Sequence, residues 1–444
     1  MSGGLRRLNA ALLALAVGCW AALGAGTATP ACAQQLTQYF PAVPDGQPAP
    51  RAESGWKISW LVRQPGTHDY GGSAVWELRD IRFMKGYHAD GSEDWVTVLN
   101  RLAMAEMYVP YHEGTYFLDV SGGVLGSDGK LQAFHFPMIK ASEEYLPKHG
   151  VVRATLHEGR YVISEVVDDH VRWMDNRDRN RVRRGQVMHL WATLNSGNYR
   201  YILRYTFADD GTIAVRVAGT AENLVSLEAD GHGDDHATHL HMAAWRMEFH
   251  LGDPEKNKIE TVQRRVNFVS KEPYLERKVY KGGLEGGMAW NAQRYTSLKI
   301  TSGATLNRHD PPRHIAYALR PVRTGTVRTR FDFTKYDFWV TRLKPDNPKR
   351  AVDAAGLELR FVDVPKNVAS PEPIDGKAVV IWHTSGLNHI PRTEDFGMRG
   401  YRSQNGVAIA SWTGFDLVPV DLWHQTPFLK REPAPVAKRP PGPE

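Results

Sequence analysis

The chain has 444 residues, 42% of them hydrophobic, and 55 Lys and Arg stand against 49 Asp and Glu for a formal net charge of +6. The basic residues are scattered among acidic ones, which argues against nucleic acid as a partner. Arg6 and Arg7 precede an apolar run from Ala10 to about Ala25, and Ala31-Cys32-Ala33 offers a small-x-small cleavage site, so residues 1–33 are predicted to be a signal peptide and the protein to be exported, periplasmic or secreted. No later apolar run could span a membrane. Losing Arg6 and Arg7 lowers the charge from +6 to +4, and losing Cys19 and Cys32 leaves a chain without cysteine, hence without disulfides.

Residues 34–55 are rich in Pro, Gln and Ala and read as an N-terminal arm; 431–444 carry five prolines and read as a disordered tail. Between them, 56–430 contain no repeat and no linker, which predicts one domain with a sizeable core. Strand-like runs follow at Trp56 to Val62 and Glu77 to Phe83, and Asp94 to Met104 has weak helical character. Further strands are predicted at Val151 to Leu156 and Tyr161 to Val166. The basic stretch Arg177 to Arg184, interrupted by Asp178 and Asn180, reads as a solvated loop between strands. Tyr199 to Phe207 then alternates aromatic and aliphatic residues at every second position, Asp209-Asp210-Gly211 supplies a turn, and Thr212 to Val217 resumes, which predicts a hairpin. Leu298 to Ile300, His314 to Leu319, Val327 to Phe333 and Ala378 to Trp382 complete the series. The fold class is all-β, mainly antiparallel, a large β-sandwich.

His239-Leu240-His241 puts two imidazoles at i and i+2, on one face of a strand, where they can grip one metal ion. With 18 histidines in the chain such a pair also arises by chance, so its surroundings decide. Asn198-Tyr199 lies about forty residues before it, and His389 lies downstream in Gly386-Leu387-Asn388-His389-Ile390-Pro391-Arg392. Each candidate has a plain structural reading too. Tyr199 sits on a packed strand face, Asp119 stands ahead of the turn-forming Ser121-Gly122-Gly123, and Tyr111 follows Pro110 as a rim aromatic.

Taken in order, Asn198-Tyr199-Arg200-Tyr201, His239-x-His241 with Arg246-Met247-Glu248, and Gly386-x-x-His389 with Arg392-x-Glu394-Asp395-Phe396 resemble the catalytic domain of the copper amine oxidases. Leu102 to Tyr111, ending Val109-Pro110-Tyr111, and Phe117-Leu118-Asp119 extend the resemblance, which runs from about Leu78 to Pro427. It implies that Tyr199 is the precursor of topaquinone and that His239, His241 and His389 hold copper(II). It further implies that Asp119 is the catalytic base, that Tyr111 hydrogen-bonds the quinone oxygen, that Phe117 gates the amine channel and that Asn198 flanks the cofactor. The implied reaction turns a primary amine and dioxygen into an aldehyde, ammonia and hydrogen peroxide, and imidazole ligands suit copper(II) while leaving positions open for water or dioxygen. Burial beside aromatic residues would raise the carboxyl of Asp119 toward the range of a working general base.

The sequence departs from the family pattern in several places. Arg200 replaces the acidic residue that follows the cofactor tyrosine, and strand alternation directs it to the face opposite Tyr199. Glu248 and His250 stand where the family has an aspartate pair, and Ala378 stands near another, so a peripheral calcium is not expected. Ser164 lies near the place of a family cysteine, and the smaller domains that usually precede the catalytic one are replaced by a short arm. Family members are homodimers, so a homodimer is implied. Two other readings fit the histidines: a copper-binding subunit or carrier without an active quinone, and a zinc hydrolase in which Asp119 serves a metal-bound water.

Overall fold

A burial pattern with a period of two runs through most of the chain, and it makes strands. The computed structural model describes residues 33–48, 50–62, 76–110, 116–118, 123–125, 131–132, 138–176, 182–196, 199–221, 239–323, 328–343, 359–389, 408–423 and 427. All belong to one unit, Ala31–Glu444.

The chain starts in a first sheet with β1 (Ala33–Phe40), β2 (Ser54–Val62), β3 (Trp76–Tyr87), β4 (Glu93–Pro110), β5 (Tyr116–Leu118), β6 (Gly123–Leu125) and β7 (Leu131–Gln132). It crosses to a second sheet for β8 (Arg153–Leu156), β9 (Ile163–Met174), β10 (Val182–Ser196), β11 (Tyr199–Ala208) and β12 (Ile213–Ala221), and returns with β13 (His239–Phe249). Thereafter β14 (Lys258–Val266), β15 (Pro273–Val279), β17 (Ser297–Leu306), β18 (His314–Arg323) and β21 (Ala408–Val420) join the second sheet. The first sheet receives β16 (Gly286–Met288), β19 (Phe338–Arg342) and β20 (Val379–His389). All the strand pairs are antiparallel, and the main path of the first sheet runs β1-β2-β3-β4-β13-β20-β19-β16. The second runs β15-β14-β17-β18-β21-β12-β11-β10-β9-β8. Among the described residues no helix is long and apolar enough to cross a membrane.

The main core fills the space between the sheets. Trp56, Trp60, Trp76 and Trp245 from the first sheet meet Tyr201, Tyr205, Phe207 and Phe415 from the second, each essentially fully buried. A buried side chain of this size contributes roughly 2 to 3 kcal/mol. A second cluster covers the outer face of the first sheet: Tyr108, Met242, Trp339 and Trp382 pack under Phe333, Phe361 and Val364. Val364 belongs to a single turn of helix, α1 (Val364–Asn367).

The all-β sandwich and the hairpin β11–β12 match the sequence reading, with Phe207 opposite Ile213 across the turn. Three segments differ. Asp94 to Met104 is not helical but part of β4, whose residues from Leu102 to Val109 are buried on both faces, by the main core on one side and the second cluster on the other. Asp94, Val96 and Val98 alternate inward, but a register shift between Thr97 and Leu99 breaks that period, and two-sided burial from Leu102 on removes the alternation that marks a strand. In Val327 to Phe333 the described part forms no strand: Thr334 Oγ1 accepts from the Thr329 N–H at 3.0 Å and donates to Phe331 O at 2.8 Å, closing a tight turn whose Phe331 and Phe333 rings stack over the second cluster. Such local bonds compete with a ladder. The segment read as an arm supplies β1, where Phe40 is buried and pairs with Ser54.

Candidate metal and cofactor site

The site begins with register. His239 lies directly opposite His389 in the β13–β20 ladder, and His241 lies opposite Leu387. Side chains alternate along a strand and directly opposed residues share a face, so positions 239, 241 and 389 lie on one face of the first sheet. It is the face of the main core, because Ala243, Trp245 and Met247 continue the same alternation into it. The second sheet answers with the inward positions of β11, Tyr199 and Tyr201, which are 3% and 1% exposed.

The two tyrosines meet the imidazoles across the sandwich. Tyr199 Oη is 2.5 Å from His389 Nδ1, and its ring centroid is 4.6 Å from that of His241. Tyr201 Oη is 2.8 Å from His241 Nδ1, with the rings edge to face. The tyrosine rings stack at 6.2 Å and 18°. Gly219 of β12, opposite Tyr201, leaves space beside them: a Cβ there would lie 3.6 Å from Tyr201, 3.7 Å from Tyr199 and 3.4 Å from Leu387. His241 is 1% exposed, whereas His389 is half-buried at the strand end.

The donor chemistry fits copper(II): the imidazoles of His241 and His389 flank a buried phenol, and position 239 lies in register on the same sheet face. Among the described residues no group of three metal-binding side chains is closed. His239 is described here by its backbone alone, in register with His389.

Arg200 points away from this site. Its guanidinium donates to Asn195 Oδ1 at 2.6 Å, the residue opposite it on β10, on the face the sequence assigned to it. Glu248 is buried, with Arg246 at 2.7 Å, Asn100 at 3.2 Å and Arg101 at 3.8 Å. Guanidinium groups thus balance the carboxylate that sequence reading compared with a family calcium ligand. Tyr111, Asp119 and Asn198 lie outside the described residues, and Phe117 is placed by its backbone, opposite Val109 in the β4–β5 pair. Among the described residues, Leu118 pairs with Tyr108, which pairs with Met242 next to His241.

Sequence reading did not single out Tyr201 for a role. Its signal was available in the spacing: it stands two residues after Tyr199 and therefore on the same face.

Comparison with known proteins gives a match to the family model described as copper amine oxidase, enzyme domain, over residues 73–437. A histamine oxidase of Arthrobacter globiformis is 23% identical over 376 residues, 75% of this chain and 52% of its own length. A peroxisomal copper-containing amine oxidase, alpha 2, of Arabidopsis thaliana is 25% identical over 53% of this chain and 38% of its own. The chain thus spans about half the length of the first and less of the second. In fold it is similar to a copper-containing benzylamine oxidase from Hansenula polymorpha, with TM-score 0.57 and 17% identity over 85% of this chain and 61% of that one. An Aspergillus nidulans amine oxidase gives TM-score 0.51 and 15% identity over 88% and 56%.

Proposed function

We infer the activity of this chain from one premise: it belongs to the copper amine oxidase family, as the enzyme domain. On that premise it is a copper- and topaquinone-dependent oxidase that takes a primary amine and dioxygen to an aldehyde, ammonia and hydrogen peroxide. The observation that carries the reading is the buried phenol of Tyr199, set against His389 at 2.5 Å and beside the ring of His241.

His239, His241 and His389 would hold the metal. Copper(II) held there would supply, with dioxygen, the oxidising power needed to turn Tyr199 in place into a quinone able to accept an amine's electrons. The inward orientation of Tyr199 and burial under two sheets keep the phenol fixed against the imidazoles and away from bulk water. The family resemblance assigns Asp119 to take the α-proton of the amine, Tyr111 to hydrogen-bond the cofactor oxygen, Asn198 to flank the cofactor and Phe117 to gate the amine entrance. No calcium is assigned to Glu248, since its charge is already met by Arg246 and Arg101.

A homodimer is part of the proposal, and the β14–β15 hairpin supports it. Phe268 and Val269 at its tip are 87% and 89% exposed, and Leu275 is 60% exposed, an apolar edge suited to a second copy. Export, expected from reading residues 1–33 as a signal peptide, is part of the same proposal. Protein produced with copper and oxygen is expected to stain in a quinone redox-cycling assay, to react with phenylhydrazine and to release peroxide from an amine in a panel of aromatic, aliphatic and diamine substrates. Tyr199→Phe is expected to do none of these. Copper-loaded wild type that stays colourless and unreactive would overturn the oxidase reading in favour of a copper carrier, and zinc alone after copper supply would favour a hydrolase.

A further inference from the structure

We propose that Tyr201 is a positioning residue for the metal: its hydroxyl fixes the tautomer and ring plane with which His241 meets the ion. The inference rests on the copper-site reading of His239, His241 and His389. A neutral imidazole carries one N–H and one lone pair, and a metal needs the lone pair. Tyr201 Oη lies 2.8 Å from His241 Nδ1, so a metal taken on Nε2 requires the hydrogen on Nδ1, where the phenol oxygen is placed to accept it. The opposite tautomer would place the hydrogen on Nε2 and close that position.

The surroundings make the phenol hard to replace. Tyr201 and His241 are each 1% exposed, so water cannot take over a lost bond. Tyr201 is paired on both sides, opposite Leu194 of β10 and Gly219 of β12, so the hydroxyl is held by the middle of the second sheet while the imidazole belongs to the first. The bond therefore ties the ligand across the sandwich. Tyr199, stacked on Tyr201, is the residue the oxidation alters; Tyr201 keeps its hydroxyl throughout and holds His241 before and after that change. Groups that hydrogen-bond a ligating histidine typically alter metal affinity by about 10- to 100-fold.

The test uses the full chain in its metal-free form, titrated anaerobically with copper(II) against a competing chelator, with electron paramagnetic resonance of the bound copper. Tyr201→Phe keeps the ring and removes the hydroxyl. Tyr205→Phe is the control, a buried tyrosine on the same strand face that packs edge-on against Trp76 and Trp245. Expected are copper binding about 10- to 100-fold weaker and an altered copper hyperfine pattern in Tyr201→Phe, with Tyr205→Phe indistinguishable from wild type. An unchanged affinity and spectrum in Tyr201→Phe would overturn the proposal, as would equal weakening in both variants, which would mark a general packing effect. Because the titration is anaerobic it precedes any oxidation. Wild type that binds copper through this site and then forms no phenylhydrazine-reactive chromophore in air would defeat the oxidase reading alone.

Discussion

His383 should make the fold sensitive to acid, and replacing it should remove a measurable part of that sensitivity. The imidazole is fully buried on β20, stacked on Phe338 at 4.8 Å and edge-on to Phe415 at 5.2 Å. Nδ1 donates to Asp337 O at 3.0 Å, and Nε2 has no hydrogen-bond partner among the described residues. A proton on Nε2 would put a charge in the core, and burial accordingly pushes the group down from 6.5 to about 4. The fold favours the neutral ring, so this stability is complete above pH 6.5 and is lost as the pH falls toward 4. Between pH 7.5 and 4.5 the loss is about 2 kcal/mol, from 1.36 kcal/mol per pH unit. His383→Asn keeps an N–H near Nδ1 for Asp337 O and cannot titrate. Urea unfolding followed by tryptophan fluorescence at both pH values is expected to show wild type losing about 2 kcal/mol more than the variant. Equal losses would refute the reasoning.

Asp119→Asn is expected to keep the phenylhydrazine-reactive quinone and to lose turnover by several orders of magnitude, measured as peroxide release against chromophore content. Asp209 is mostly buried, which raises its carboxyl to about 6, while the Gln186 N–H on Oδ2 pulls the other way. The protonated form stabilises the fold at low pH and that contribution is lost as the pH rises through 6, so Asp209→Asn should add about 1 kcal/mol at pH 8, after allowance for partial solvent screening, and nothing at pH 4. Gly219→Ala should leave quinone formation near wild type, because its Cβ meets Tyr199, Tyr201 and Leu387 at ordinary contact distance. Gly219→Val should overfill the same space, cost about 1 to 3 kcal/mol and slow chromophore development in copper-loaded protein exposed to air.

Legibility in the sequence followed the kind of interaction involved. The β11–β12 hairpin was readable because its pairing is local and one face of each strand is apolar. Asp94 to Met104 in β4 was not, since a register shift between Thr97 and Leu99 breaks the alternation and burial on both faces follows from Leu102, and Val327 to Phe333 was not, since Thr329 and Thr334 redirect the backbone through side-chain bonds. His239-x-His241 declares a shared face from two residues alone. The place of His389 came from a motif, because a ladder between segments so distant in sequence leaves no local signal. Tyr201 looked like core because it is core; its bond to His241 joins the two sheets and depends on how they stack. Arg200 was read correctly as outward, an inference that needs nothing beyond the alternation of one strand.

The facing of His239 and His389 makes the site a check on assembly. A slip of one residue between β13 and β20 would turn Leu240 or Asn388 inward and scatter the imidazoles over both faces. Metal capture would then have to wait until strands separated by most of the second half of the chain had zipped in the native register. With the proposed cofactor, colour would appear only in molecules that had passed that point, so each coloured molecule would carry a record of its own correct folding.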